Sequence, residues 1–268
     1  MSATSFENLL IDRADPGVAI VKINRPRALN ALNSATLKDL RTALTELAGD
    51  KTARVVVLTG EGDKAFIAGA DIAEMKDLSP GAGVSFSAVG HEVAKLLETM
   101  PKPTIAAVNG FALGGGTEMA VACDFIIASE KAVFGQPEVG LGIIPGFGGT
   151  FRLSRAIGLP AAKELIYSGR KVKADEAKAM GLCNHVLPAE GFLAAVIENH
   201  AKPIALQSAS AVAKAKALIV EFTESHGLNT KIDAEAHAFG RLMTSHDQRE
   251  GMGAFTEKRK PQFEGLKA

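Results

Sequence analysis

The sequence predicts an α/β fold. Short β-branched apolar runs alternate with stretches of helical periodicity as far as about residue 190, and from Glu190 onward only helical patterns remain. The length of 268 residues suits one large domain or a core with an appendage. A chain of this size buries most of its apolar surface without staples. The expected division is a strand–helix core at 1–195 followed by a helical region at 196–268.

Residues 6–11 and 18–23 read as two strands joined by the turn signal ADPG. Ser34 reads as a helix N-cap, and Leu37, Leu40, Leu44 and Leu47 then recur at helical spacing, giving a helix at 35–48. The run RVVVLT at 54–59 is a buried strand, followed by a loop at 60–69. A helix at 84–100 is stopped by Pro101 and Pro103. Residues 104–109 form another buried strand, and the turn Gly114–Gly116 opens a short helix. Strands are expected at 125–129, 132–134 and 184–187, with short helices at 150–157, 161–168 and 174–180. Helices at 190–200, 204–222, 230–243 and 246–260 complete the chain. No internal sequence repeat or low-complexity segment is visible.

Composition narrows the function classes. Lys plus Arg and Asp plus Glu are both 30, so no net positive charge favours nucleic acid. The two cysteines, Cys123 and Cys183, suit buried thiols in a reducing compartment. The six histidines form no metal-ligand cluster, so no metal is expected. The N-terminal stretch MSATSFENLLIDRADPG lacks the basic-then-apolar pattern of a targeting peptide, and no apolar run reaches the roughly 18–20 residues of a membrane span. The expectation is a cytoplasmic protein without membrane or nucleic-acid partners.

The chemistry concentrates in three segments. LGGGTEMAVACD at 113–124 places Glu118 behind three glycines, where a charge at the edge of an apolar run is costly unless paired or used. The glycine spacing fits neither a dinucleotide fingerprint nor a P-loop. Taken alone, the turn is as compatible with a structural role as with a site. A second carboxylate, Glu138, lies 20 residues on in GQPEVGLGIIPGFGG, and the two short strands between allow the chain to return and bring the acids together. The third segment, AFIAGADI at 65–72, has small residues that let backbone N–H groups face a ligand.

With RPRALNAL (25–32), KAFIAGADIAEM (64–75), KPTIAAVNGFALGGGTEMAVACDFIIAS (102–129), FGQPEVGLGIIPGFGG (134–149) and REGMGAFTEKRK (249–260), the chain closely resembles the crotonase (enoyl-CoA hydratase) superfamily over residues 6–263. Within it, the resemblance points to the short-chain hydratases. It implies a crotonase fold, a spiral of ββα units with a C-terminal helical trimerisation region. It also implies reversible hydration of a trans-2-enoyl-CoA thioester, with coenzyme A as part of the substrate and no separate cofactor. The matching positions assign an oxyanion hole to the amides of Ala70 and Gly115, where preorganised donors cost no reorganisation during reaction. Glu118 matches the mainly water-activating base, and Glu138 the mainly C2 proton donor. The division is soft, because neighbouring carboxylates titrate as a coupled unit. Gly146 matches a water-holding amide.

The resemblance places Ala28, Lys64, Ala68, Asp71, Ile72, Phe255 and Lys258 at coenzyme A or substrate, the last two reaching a neighbouring subunit of a homotrimer or a dimer of trimers. Lys64 is equally readable as a solvated loop lysine, and Phe255 and Lys258 equally as a helix face with Phe255 in a subunit contact and Lys258 solvated, whereas Asp71 and Asp124 read better as structural acids. Asp71 would cap the turn, and Asp124 would satisfy backbone or an arginine. Met75, Val84, Phe86 and the helix after Gly146 are expected to line the acyl end. Two positions depart from the pattern: Phe151 stands where relatives often have glutamine, and Thr117 where some have cysteine. Isomerases and other superfamily members keep the oxyanion hole but rearrange the acids, and having both glutamates favours the hydratases. An RNA-binding relative would need a basic face, which the zero net charge does not support.

Overall fold

The alternation resolves into a repeated unit of two strands and a helix. The computed structural model describes residues 5–222 and 245–264. Strands β1 (Leu9–Ala14) and β2 (Val18–Ile23) precede helix α1 (Ser34–Gly49). Then follow β3 (Val55–Gly60), β4 (Ala65–Ile67), the short α2 (Ile72–Met75) and the long α3 (Pro80–Thr99). The next unit is β5 (Thr104–Val108), β6 (Phe111–Leu113) and α4 (Gly115–Ala122). A third is β7 (Phe125–Ser129), β8 (Val133–Gly135), a 3-10 turn at Glu138–Leu141 and α5 (Gly149–Ile157). Helix α6 (Leu159–Ser168), β9 (Lys171–Lys173), α7 (Ala174–Ala179) and β10 (His185–Leu187) close the core.

In each of these three units the first strand joins one sheet and the second joins another. The larger sheet runs β1-β2-β3-β5-β7-β10, parallel except for the β1–β2 pair. The smaller runs β4-β6-β8-β9, parallel except for β9. Strand periodicity decides the two faces of the large sheet. Ala19, Val21 and Ile23 face the main core with α1, α3 and α4, whereas Val18 and Ile20 face the opposite side. That opposite side is covered by α8 (Phe192–Val196), a π-helical turn (Ile197–Ala201) and α9 (Lys202–Ala205), which bury Phe192, Val196, Ala201 and Ala205.

Helix α10 (Ala209–Phe222) is tied to the core by Lys216. Its ammonium donates to the carbonyls of Leu97 and Lys102, both at 2.9 Å, and pairs with Asp124 at 2.9 Å. Asp124 therefore serves a lysine rather than an arginine, besides accepting from the Thr104 amide at 2.7 Å. The last described helix, α11, is His246–Thr256. The helix expected at 230–243 lies outside the described residues. Among the described residues no helix is long and apolar enough to cross a membrane.

The local expectations need five corrections. The helix expected at 204–222 is broken, because α9 ends at Ala205 and α10 starts at Ala209. The first strand begins at Leu9, because pairing of Leu9 with Ile23 sets its register. Asn33, not Ser34, caps α1, accepting from the Thr36 amide at 2.8 Å. Helix α3 starts at Pro80 behind a Ser79 cap that takes the Ala82 amide, so 80–83 is helical too. Finally β4, β6 and β9 have three residues each, too short to show a period of two, and exist because each finds a partner strand.

Candidate active site

The parallel pairing of β4 with β6 brings the chain ends that leave them side by side. Leaving β4, the loop 68–71 is pinned by the 29–32 stretch: Ala68 N–H donates to Leu29 O, Leu32 N–H to Gly69 O, and Asp71 N–H to Leu32 O. Leaving β6, Gly114 takes φ 51° and ψ −121°, a conformation open only to glycine, and Gly115 begins α4. Its amide is one of the first four of the helix, which have no intrahelical acceptor. Among the described residues, neither the Ala70 nor the Gly115 amide donates to a protein acceptor. A β-carbon on Gly115 would stand 3.7 Å from Ala70 N, so the two amides are neighbours. Gly116 is needed for packing, since a methyl there would overlap the Ile67 carbonyl of β4.

Two residues past Gly116, α4 presents Glu118. Its carboxylate is buried, and Oε1 accepts from the Phe147 amide at 2.8 Å and the Gly149 amide at 2.6 Å. Burial raises its pKa above the ordinary 4.5, while those amides and the Arg152 charge pull the other way. Glu138, at the start of the 3-10 turn, faces Gly114: a β-carbon there would lie 2.7 Å from its Oε1. Burial, with the Glu118 charge adding to it, pushes Glu138 up to about 7. Fully buried Gln136 orients its amide NH2 toward both Glu138 oxygens, at 2.8 and 3.0 Å.

Both carboxylates and both free amides line one cavity of about 490 Å³. Ala68, Ile72 and Gly146 line it as well, and the Gly146 amide faces Glu118 with the other two. At the apolar end, Met75 and Phe86 line the cavity as expected, whereas Val84 points away at 72% exposure. The remaining wall comes from Leu141, Ile143, Ile144 and Phe147, ahead of the helix expected to supply it. The apolar run GLGII could have signalled this wall, but nothing local shows which way it faces.

The other expected binding residues are dispersed. Lys64 borders a separate cavity of about 310 Å³ with Arg27 and Leu29. Ala28 is half-buried on the adjoining 3-10 turn (Pro26–Ala28) and lines neither cavity. Asp71 does not line the main cavity; it caps α2 through the Ala73 amide and pairs with Arg25 at 3.0 Å. Lys258 is exposed with φ 56° and lines no described cavity, and the Phe255 side chain lies outside what is described. Phe151 is half-exposed, stacking on His91 with ring centroids 6.2 Å apart. Thr117 donates to Ala112 O at 2.6 Å, locking α4 onto β6.

Two polar features were not singled out from sequence: Gln136 behind Glu138, and the Phe147 and Gly149 amides on Glu118. An amide orientation has no sequence signature.

A family model described as enoyl-CoA hydratase/isomerase matches residues 13–266. A crotonyl-CoA hydratase of Syntrophomonas wolfei is 47% identical, covering 97% of this chain and 98% of its own. A short-chain-enoyl-CoA hydratase of Clostridium acetobutylicum is also 47% identical, covering 98% of each. The crystal structure of an enoyl-CoA hydratase from Bacillus anthracis superposes with a TM-score of 0.93 at 42% identity, over 97% of this chain and all of its own.

Proposed function

The chain belongs to the enoyl-CoA hydratase/isomerase family, and from that premise we propose that it adds water across C2 and C3 of a short-chain trans-2-enoyl-CoA. The observation that carries this reading is the placement of two buried carboxylates beside two unspent amides in one cavity. The thioester oxygen accepts from the Ala70 and Gly115 amides as charge develops on it. Each such donor is worth roughly 3–4 kcal/mol of barrier. Glu118, ionised and held by loop amides, takes the proton of the attacking water at C3. Glu138, protonated up to about pH 7, delivers a proton to C2. With one water held between the two acids, addition is syn and the product is the (3S)-3-hydroxyacyl-CoA.

The reaction is redox-neutral, so carboxylates and amides supply all of its steps, and coenzyme A enters as part of the substrate. Enoyl-CoA isomerisation would need only one of the two acids, so the presence of both favours hydration. The pH dependence follows from the two roles. The base must be ionised, so activity falls as pH drops through the raised Glu118 value. The acid must be protonated, so activity falls as pH rises through about 7. The two limbs are macroscopic values of the pair.

Loss of the enone thioester absorbance of crotonyl-CoA measures the activity. Glu118→Gln and Glu138→Gln are each expected to lower kcat by roughly 100- to 10,000-fold, with circular dichroism unchanged. Wild-type rates in both variants would sink the mechanism.

The same reading includes a homotrimer or a dimer of trimers, supported by exposed Leu206, Ile219 and Met252 in the C-terminal region. Light scattering would return a trimeric or hexameric mass, and a monomer would overturn it. A cytoplasmic location is part of the reading, supported by two free, buried cysteines.

A further inference from the structure

The loop 145–149 is held from behind by two side chains outside the catalytic pair. Ser87 of α3 donates through Oγ to Gly146 O at 2.5 Å. The same peptide unit carries the Phe147 N–H that donates to Glu118. Arg152 of α5 donates from Nη1 to Phe147 O at 2.9 Å, on the next peptide. Its backbone N–H donates to Gly148 O at 2.8 Å, on the peptide whose N–H, that of Gly149, donates to Glu118. Three consecutive peptides are therefore gripped at their carbonyls, and two of them point their amides at one carboxylate oxygen.

The grip is itself braced. Arg152 is buried, and its Nε and Nη2 donate to Glu98 at 3.2 and 3.1 Å. Arg155 pairs with the other Glu98 oxygen, and the Phe151 ring lies 4.7 Å from the Arg152 guanidinium carbon. Burial would raise Glu98, but the two arginines overcome it and hold the acid below its ordinary value.

We propose that Ser87 and Arg152 are positioning residues, which fix the 146–149 peptides so that their amides keep Glu118 aimed and ionised as the base. A hydroxyl behind a peptide carbonyl polarises the N–H at the other end of that peptide. A guanidinium beside a buried carboxylate favours its charged form. The charged groups around Glu118 are Arg152 from α5 and Glu138 from the 3-10 turn. From α3, Glu98 and His91 act on it through Arg152; His91 is held below its ordinary value by burial and by that charge. The inference rests on the reading of Glu118 as the base.

The test is the pH profile of kcat/KM with crotonyl-CoA for wild type, Ser87→Ala, Arg152→Gln and Arg152→Lys, with the Tm of each. Arg152→Gln is expected to move the acid limb upward by about one pH unit or more. Ser87→Ala moves it in the same direction by less, and Arg152→Lys restores most of the wild-type profile by returning the charge. The alkaline limb and KM stay in place. A loss of equal size at every pH, or an unmoved acid limb, overturns the proposal. Should Arg152→Gln not fold, Ser87→Ala decides alone, because it removes one hydroxyl and no buried charge. Glu118→Gln separates the two ideas. An active Glu118→Gln enzyme ends the assignment of the base, whereas an inactive one with an unmoved acid limb in Ser87→Ala ends only the positioning role.

Discussion

The two glycine-rich turns, 113–116 and 145–149, both carry backbone N–H groups beside the two acids, but in different states. The first leaves its amide unspent. Gly115 opens a helix, no protein acceptor reaches its N–H among the described residues, and Ala70 across the β4–β6 pair is in the same condition. The second turn is already occupied: the Phe147 and Gly149 amides are bonded to Glu118. On the proposed reading, one turn keeps its amide for charge that develops only on a bound thioester, whereas the other supports a charge the protein owns. Unspent donors differ in value between ground and transition state, which is what accelerates a reaction. Donors bonded to a resident carboxylate set its basicity instead.

Substitution of the glycines tests the contrast most severely. In the first turn, Gly114→Ala must adopt a glycine-only conformation and place a methyl 2.7 Å from Glu138 Oε1. With the Gly115 amide read as a donor to the thioester oxygen, its displacement predicts a fall in kcat of roughly 100- to 1,000-fold, measured with crotonyl-CoA. In the second turn, Gly149→Ala puts a methyl 3.1 Å from Glu118 Oε1 and 2.7 Å from the Gln136 side-chain amide. Misplacing a reacting group by about 1 Å costs on the order of 100-fold, and here the acid limb of the pH profile should move as well. If both variants show the same pH-independent loss, the two turns are not doing different work.

A smaller effect separates the two carboxylates by stability. Glu138 holds its proton up to about 7 in the folded state, against an ordinary 4.5. The folded protein therefore binds more protons than the unfolded chain across that interval, and stability falls as pH rises through it. Glu138→Gln removes this penalty. Its Tm should gain on wild type from pH 5 to pH 8, by roughly 2–4 °C for each kcal/mol relieved. A Tm difference that does not change with pH would remove the strain ascribed to Glu138.

The smallest expected effect lies inside the second turn. Gly146 has no left-handed φ, and a β-carbon there meets nothing within 4 Å. Gly146→Ala should leave folding stability within about 0.5 kcal/mol of wild type by denaturant titration. A large loss would mean that the whole turn, and not only Gly148 and Gly149, requires glycine.

Much of this site was legible in the sequence because its parts are local. The GGG turn before a short helix, the acid three residues after Gly115, and the second acid in a second Gly/Pro-rich segment are all visible along the chain. The coenzyme A contacts were less legible. Asp71 and Lys64 sit inside the motif-bearing segment, yet Asp71 is engaged by Arg25 and the Ala73 amide, and Lys64 borders another cavity. A motif places a residue along the chain, but not the direction of its side chain. Val84 was misplaced for the same reason: it lies on the correct helix but on the outward face.

By itself, the sequence determined the alternation of strands and helices, the pair of glutamates, the glycines that free a backbone amide, and the family. All but the family rest on composition, period and short-range turn chemistry, which act over a few residues; the family rests on the resemblance of five segments taken in order along the chain. Only the tertiary structure decided which amides are spent and which are free. That depends on partners 29 and 31 residues away for Glu118, and on the pairing of two three-residue strands for Ala70 and Gly115. It also decided that Glu138 keeps its proton to about pH 7. Burial and a neighbouring charge are properties of the assembled cavity, and neither exists until the chain has closed around both acids.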